Sequence, residues 1–307
     1  MRVVPRKDCL SSQHWGRRAF LFEAWGVFPL KWLISTFLFL FSTLIGPRAG
    51  SLPEQLPQPP PEPPAVVTPA PEPDADPDPP NTKLYVLMYH HFVPEGVPCN
   101  NWMLTDVRLR EDLEWLDSHG YVTVLPSQLA AGEPLPQRAV MLTFDDGYDS
   151  NYTLAYPLLQ EYQAKAVISL IVKYTQEEVP GFLTWDMCRE MASSGLVEFG
   201  SHTYASHDEE EHGIKRRWGE SREDYEARLF PDLQTSIDRI EENLGSPPLL
   251  FAYPNGLKES WAAGFIQDHF AITLTTKHGA SDLSKGLYSL NRCNVSMGVP
   301  VGDILPD

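Results

Sequence analysis

Between Ser51 and Asn81 the chain reads SLPEQLPQPPPEPPAVVTPAPEPDADPDPPN, which holds 13 of its 29 prolines. Proline fixes φ and removes a backbone donor, and the only charges in this stretch are six Asp or Glu residues. A segment of this composition buries no core and reads as an extended, semi-rigid, disordered spacer. It divides the 307 residues into a leading segment, 1–50, a linker, 51–82, and a globular unit, 83–307, of a size suited to one α/β domain.

The leading segment has its own signal. Arg17 and Arg18 precede an apolar run from Val27 to Gly46, interrupted by Pro29 and Lys31. The uncharged part, Trp32 to Ile45, is short against the roughly 20 residues a bilayer span prefers. Lys31 sits at its edge, however, where it can snorkel to the interface. The basic residues lie ahead of the run, and GPRAGS behind it offers no small-x-small cleavage site. These flanks favour an uncleaved signal anchor with a cytoplasmic N-terminus over a cleaved signal peptide. The expected location is the cell membrane with the globular unit outside the cytoplasm, or secretion if the segment is cleaved.

Of the chain's net −17, residues 1–50 contribute +5 and the linker −6, which leaves −16 for the globular unit. That charge opposes nucleic acid or another polyanion as partner and suits a neutral or cationic one. The four cysteines, Cys9, Cys99, Cys188 and Cys293, show no C-x-x-C spacing, so a zinc knuckle or thioredoxin-like site is not expected. A Cys99–Cys293 disulfide is compatible with an extracytoplasmic unit, and nothing in the sequence demands it.

Within 83–307, short apolar runs alternate with helical periodicity. Strands are expected at 84–89, 121–125, 139–144, 165–172, 197–201, 249–254 and 270–276. Helices are expected at 108–120, 154–163, 184–195 and 222–245, the last from Leu229, Leu233, Ile237, Ile240 and Leu244 ahead of Gly245. This order implies an α/β fold with a parallel sheet, either open or closed into a barrel. In both, the reactive groups gather at the C-terminal ends of the strands. Those ends read YHHF (89–92), FDDGY (144–148), SHTYASH (201–207) and YPNG (253–256).

Asp145 and Asp146 are adjacent acids where a strand leaves the core, and their repulsion calls for a cation or a shared proton. Asp-Gly is also common turn punctuation, and a lone His is more often an ordinary polar residue. His202 and His207 with one carboxylate, around an open position, would form a catalytic zinc site, and the other aspartate would be left as a base. A spacing of five does not place both histidines on one helix face, so their segment is expected to be a loop curled round the ion.

TFDDGY, SHTYASH and FAYPNG, in this order, resemble the polysaccharide deacetylases, the NodB homology domain of carbohydrate esterase family four. The resemblance spans 83–307 and implies a distorted (β/α) barrel. It is closest to the branch that deacetylates poly-β-1,6-N-acetylglucosamine, through LMYHHF, the TW helix before VEFGSHT, and the five-residue histidine spacing. It implies Asp145 as general base, and Asp146, His202 and His207 as ligands of a divalent metal ion, zinc before other transition metals. It also implies that Asn255 donates its backbone N–H to the oxyanion.

The chain departs from the family in two places. A late strand ending in His, the usual source of the general acid, has no counterpart after YPNG. The opening YVLMYHHF has that form, as in a circular permutation, and makes His90 the acid candidate, with His91 and His278 as alternatives. The Arg that orients the base is also missing, its position being Ala252, and Arg292 in SLNRCNV is the candidate replacement. Trp102 or Trp185 would line the sugar site, although core packing is the commoner use of both. The implied function is N-deacetylation of an N-acetylglucosamine polymer, with poly-β-1,6-N-acetylglucosamine first and peptidoglycan or a chitin-type polymer second. The reading from another class is an inactive glycan-binding module.

Overall fold

The computed structural model describes residues 80–208 and 213–306. The expected anchor, nearly all of the linker and most of the acidic run 208–212 lie outside the described residues. Among the described residues, no helix is long and apolar enough to cross a membrane.

Eleven strands are described: β1 (Lys83–Tyr89), β2 (His91–Val93), β3 (Met103–Thr105), β4 (Val122–Thr123), β5 (Ala139–Asp146), β6 (Ala166–Leu170), β7 (Val197–Ser201), β8 (Leu250–Ala252), β9 (Ile272–Leu274), β10 (Ser281–Asp282) and β11 (Cys293–Asn294). The main sheet runs β10-β1-β5-β6-β7-β8-β9, with β4 on β5 and β11 on β1. Every pairing in it is parallel except β10 on β1.

The sheet curls into a half-barrel, and one short stretch near the C-terminus touches both of its ends. Leu290 donates to Thr273 O (2.8 Å) and accepts from Thr275 N (2.9 Å) beside β9. Three residues later, Cys293 and Asn294 pair with Leu87 and Met88 of β1. Arg292 lies between these two attachments.

Strand alternation sorts side chains between two cores. On the inner face, Val86, Met141, Val167, Ala252, Leu274 and Leu290 form one cluster. On the outer face, Leu87, Leu142, Phe144 and Ile168 pack with residues of the covering helices such as Leu113 and Met191. β5 is buried at all eight positions, as expected of a central parallel strand covered on both sides. The same period of two carries Met141 and Thr143 on to Asp145, so the first aspartate faces inward. The helix Arg222–Leu244 starts at an N-cap, Ser221, whose hydroxyl accepts from Asp224 N, and ends at Gly245 in the left-handed region. Its buried Tyr225, Leu229, Leu233 and Ile237 belong to a third cluster, and its Ile240 joins the outer-face one.

The expected elements differ from the observed ones in detail. The run 165–172 ends as a strand at Leu170 and continues as a helix, Val172–Gln176. The helix expected at 154–163 begins earlier, with a wide turn at Asn151–Ala155. The parallel pair β2 and β3 was not expected, because three-residue runs carry no readable period. Cys99, Cys188 and Cys293 are free, so Cys99 and Cys293 are not joined.

The short helix Val301–Ile304 is latched to helix Asp106–Ser118 through Asp112, which accepts from Val301 N at 3.2 Å. Burial pushes the Asp112 carboxyl up to about 6, against the opposing pull of Val301 N–H and Arg108. A carboxyl raised by folding favours the native state while it is protonated. Stability from this group is therefore present at acid pH and lost as pH rises from about 4 to 6. Asp112→Asn keeps an acceptor and removes the charge, so it should raise stability at pH 7 by on the order of 1–3 kcal/mol. Melting curves at pH 4.5 and pH 7 read the effect, and equal shifts at both would refute it.

Candidate metal centre and active site

The C-terminal ends of β1, β5, β7 and β8 open into one cavity of ≈340 Å³. Asp145, Asp146, His202, His207, Asn255 and Arg292 all line it, as do His90 and His91. His278 and Trp185 do not. Trp185 instead packs on the outer core and donates to Gln176.

The two adjacent aspartates are parted by backbone geometry. Asp146 has φ 73° and Gly147 φ 82°, so the chain turns through the left-handed region as β5 ends. Asp145 stays on the inner face, and Asp146 swings towards the histidines. A Cβ on Gly147 would lie 2.7 Å from Leu170 Cδ2, which explains the glycine of the motif.

His202 follows β7 and is buried. Its Nδ1 lies 2.7 Å from Ala252 O. A carbonyl only accepts, so Nδ1 carries the proton and Nε2 presents its lone pair. Burial pulls the His202 pKa down to about 3, partly opposed by Asp145, so the ring is neutral at pH 7. His202 Nε2 and His207 Nε2 each lie 3.7 Å from Asp146 Oδ1, and one donor atom from each of the three residues falls within 4.8 Å of the others. Four-coordinate zinc, with bonds of about 2.1 Å, holds its ligands about 3.4 Å apart. The three donors therefore fit a divalent cation with at least one position open to the cavity. The carbonyl on His202 Nδ1 is the outer partner that metal-binding histidines usually have.

Asp145 is 2% exposed and Arg292 1%. Arg292 Nη1 lies 2.8 Å from Asp145 Oδ1 and 2.7 Å from Oδ2, while its Nε donates to Thr275 O at 2.8 Å. Burial pushes the Asp145 carboxyl up, but Arg292, with help from His202 and His90, outweighs it and holds the group below the usual carboxylate range. The sheet position that carries Arg in the resembled family is Ala252, whose small side chain lies in the inner core. The guanidinium reaches the base from the opposite side of the curl.

His90 lies at the end of β1, its ring centroid 4.8 Å from that of Trp102. Burial draws its pKa down to about 4, partly offset by Asp145. His91 is engaged elsewhere, with Nδ1 2.9 Å from Ser150 Oγ and its ring against Tyr148. Asn255 has φ 56° in the PNG turn. At Gly256, φ is +69°, and a Cβ would sit 2.1 Å from Thr276 Oγ1 and 2.7 Å from Thr276 N.

Among the cavity residues that sequence did not single out are Asn100, Met103 and Tyr148. The first two ride on the β2–β3 insertion. Tyr148 stands inside the TFDDGY motif, and that is the signal that could have found it.

The sequence profile of the family described as Polysaccharide deacetylase matches residues 132–267, the stretch that holds Asp145, Asp146, His202, His207 and Asn255. β1 with His90, and the stretch with Arg292, fall outside the matched span. The chain is similar to the poly-β-1,6-N-acetyl-D-glucosamine N-deacetylase of Escherichia coli K12, 37% identical over 145 residues, which are 42% of this chain and 22% of that protein. It thus spans about a fifth of that relative's length. Its fold is similar to the Streptococcus pyogenes deacetylase PplD, at TM-score 0.63 and 24% identity over 74% of this chain and all of that one. The deacetylase domain of BpsB from Bordetella bronchiseptica superposes at TM-score 0.59 and 26% identity, over 70% of this chain and 97% of that one.

Arg292→Met should strand a buried carboxylate and cost about 3–5 kcal/mol. The Asp145 pKa should then rise, because burial is left unopposed. Chemical denaturation at pH 7 gives the loss, and a variant as stable as the parent would show that the pair carries no weight.

Proposed function

We propose that this protein is a metal-dependent hydrolase that removes N-acetyl groups from N-acetylglucosamine residues of an extracellular polysaccharide, poly-β-1,6-N-acetylglucosamine first among them. The observation that carries this reading is the arrangement of Asp145. It is a carboxylate held ionised by Arg292 in the same cavity as three donors spaced for a cation.

Asp146, His202 and His207 would hold a divalent ion, zinc by preference, which would supply Lewis acidity to the acetamide carbonyl and make water more acidic. Asp145 takes the proton as water attacks. Its low pKa keeps it ready over the whole neutral range. Asn255 lines the same cavity, and its backbone N–H is the assigned donor for the developing oxyanion. His90 is neutral at rest, so it must gain a proton within the cycle before giving one to the departing amine. Asp145, whose charge raises the His90 pKa, is the neighbouring group that holds one after the attack. Trp102, 52% exposed at the cavity rim beside His90, offers a face to a sugar ring.

The polymer preference is supported by the name of the Escherichia coli relative and by the five-residue histidine spacing. The charge of −16 on the unit suits a chain that becomes cationic as it loses acetyl groups. The leading apolar run and proline spacer support a membrane-held unit outside the cytoplasm, or a secreted one if the run is cleaved.

Acetate release from acetylated β-1,6-glucosamine oligomers, with chitin oligomers and peptidoglycan fragments in parallel, tests the reading. Chelator should abolish release and a divalent metal should restore it. His202→Ala, His207→Ala and Asp146→Ala should lose both metal and activity. Asp145→Asn should keep metal and lose about 10²–10⁴-fold in rate. Full turnover in chelator would sink the metal role, and saturable oligomer binding without acetate release would support a glycan-binding module instead.

His90→Gln should slow amide hydrolysis strongly with metal content intact. The loss should shrink on an activated acetyl ester, whose leaving group departs without a proton. Equal losses on both substrates would remove His90 from the acid role.

A further inference from the structure

The segment Ser201–His207 carries both histidines and is not a relaxed loop. Thr203, a β-branched residue, has φ 79°, a region that such side chains rarely adopt. A strained conformation of this kind persists only where its surroundings over-determine it. Part of the restraint is local, since Thr203 Oγ1 accepts from His207 N at 3.0 Å. Part comes from the chain after β6, where Val172 N and Lys173 N donate to Thr203 O and Tyr204 O.

The rest comes from the helix Arg222–Leu244. Asp232 accepts three consecutive backbone N–H groups, from Tyr204 at 3.0 Å, Ala205 at 2.9 Å and Ser206 at 3.1 Å. One turn on, and so on the same helix face, Ser236 Oγ lies 2.8 Å from Ser201 Oγ, which in turn accepts from Thr203 N at 3.2 Å. The helix thus grips the segment just before His202 and again just before His207. No chemistry proposed above uses Asp232, although it is a carboxylate satisfied by three donors next to a metal ligand.

We propose that Asp232, assisted by Ser236, is the positioning residue that sets the affinity of the site for its metal, by holding the Tyr204–Ser206 backbone in the shape that brings His207 to His202 and Asp146. This rests on the metal-dependent reading of the site. Charge-assisted bonds to three successive amides fix a short arc of backbone more firmly than neutral acceptors would. Without them, three N–H groups lose their acceptor, and the Thr203 conformation loses the restraint that makes it the lowest state. His207 then explores positions away from the other two donors, and binding must restore the order each time.

The test is metal affinity of the full chain, measured by competition with a chromophoric zinc chelator, for the parent, Asp232→Ala, Asp232→Asn and Ser236→Ala. Removing an outer partner of a metal site typically costs about 10–100-fold in affinity, and that is the loss expected for Asp232→Ala. Asp232→Asn should lose less, since its amide oxygen still accepts from Ala205 and Ser206 while its NH₂ opposes Tyr204 N–H. Turnover of both should recover at saturating zinc, and amide exchange at 204–206 should quicken. Parental affinity in folded Asp232→Ala, even with a lowered melting temperature, would overturn the proposal and leave Asp232 an ordinary structural residue. If Asp232→Ala does not fold, unchanged affinity in Asp232→Asn overturns it equally. A parent that binds no divalent metal would instead sink the reading of the site on which this rests.

Discussion

The buried pair of Arg292 and Asp145 is where fold and chemistry meet. Two charges lie almost out of reach of solvent, in contact at 2.7 and 2.8 Å, in the middle of a sheet whose other inner-face groups are mostly apolar. Moving each ion from water costs several kcal/mol, and their attraction returns this only with good geometry and satisfied neighbours. Here the guanidinium Nε also finds an acceptor, Thr275 O. The same pair ties the stretch that spans the two ends of the curled sheet to its central strand. A group that a hydrolase would use as a base is thereby also a fastening of the architecture.

Strain is distributed around the cavity in a consistent way. Asp146, Thr203 and Asn255 are all non-glycine residues at positive φ, and each belongs to one of the three motifs at the strand ends. At Asp146 the left-handed turn parts two adjacent carboxylates, so that one meets a guanidinium and the other meets two imidazoles. This resolves the repulsion that makes the Asp-Asp pair conspicuous in sequence. Thr203 lies on the loop that carries His202 and His207, and Asn255 lies on the turn that lines the same cavity. The cost of each is carried by close packing nearby, as between Gly256 and Thr276.

Much of this was legible in the residues. The alternation of apolar runs and helical periods gave the parallel sheet, and strand-end placement picked out Asp145, Asp146, His202 and His207 before any coordinates. What the sequence could not carry was pairing at a distance. Ala252 stands where the resembled family has an arginine and Arg292 was the candidate replacement, but only the curl of the sheet shows how a residue so far along the chain reaches Asp145. The β2–β3 insertion has strands too short for a period, so its contribution of Asn100 and Met103 was hidden. Helix 222–244 was plain from Leu229, Leu233 and Ile237, yet its polar grip through Asp232 and Ser236 faces a loop that periodicity says nothing about.

Asp145 and Arg292 stand 147 positions apart. The inner face of the sheet is therefore built around a carboxyl whose cation comes from a distant part of the chain. Without Arg292, the burial that favours the neutral acid is opposed only by His202 and His90. The cation that holds Asp145 ionised is placed by residues 290–294, which lie between β9 and β1. The charge on Asp145 is in this sense coupled to the contact that brings the two ends of the sheet together.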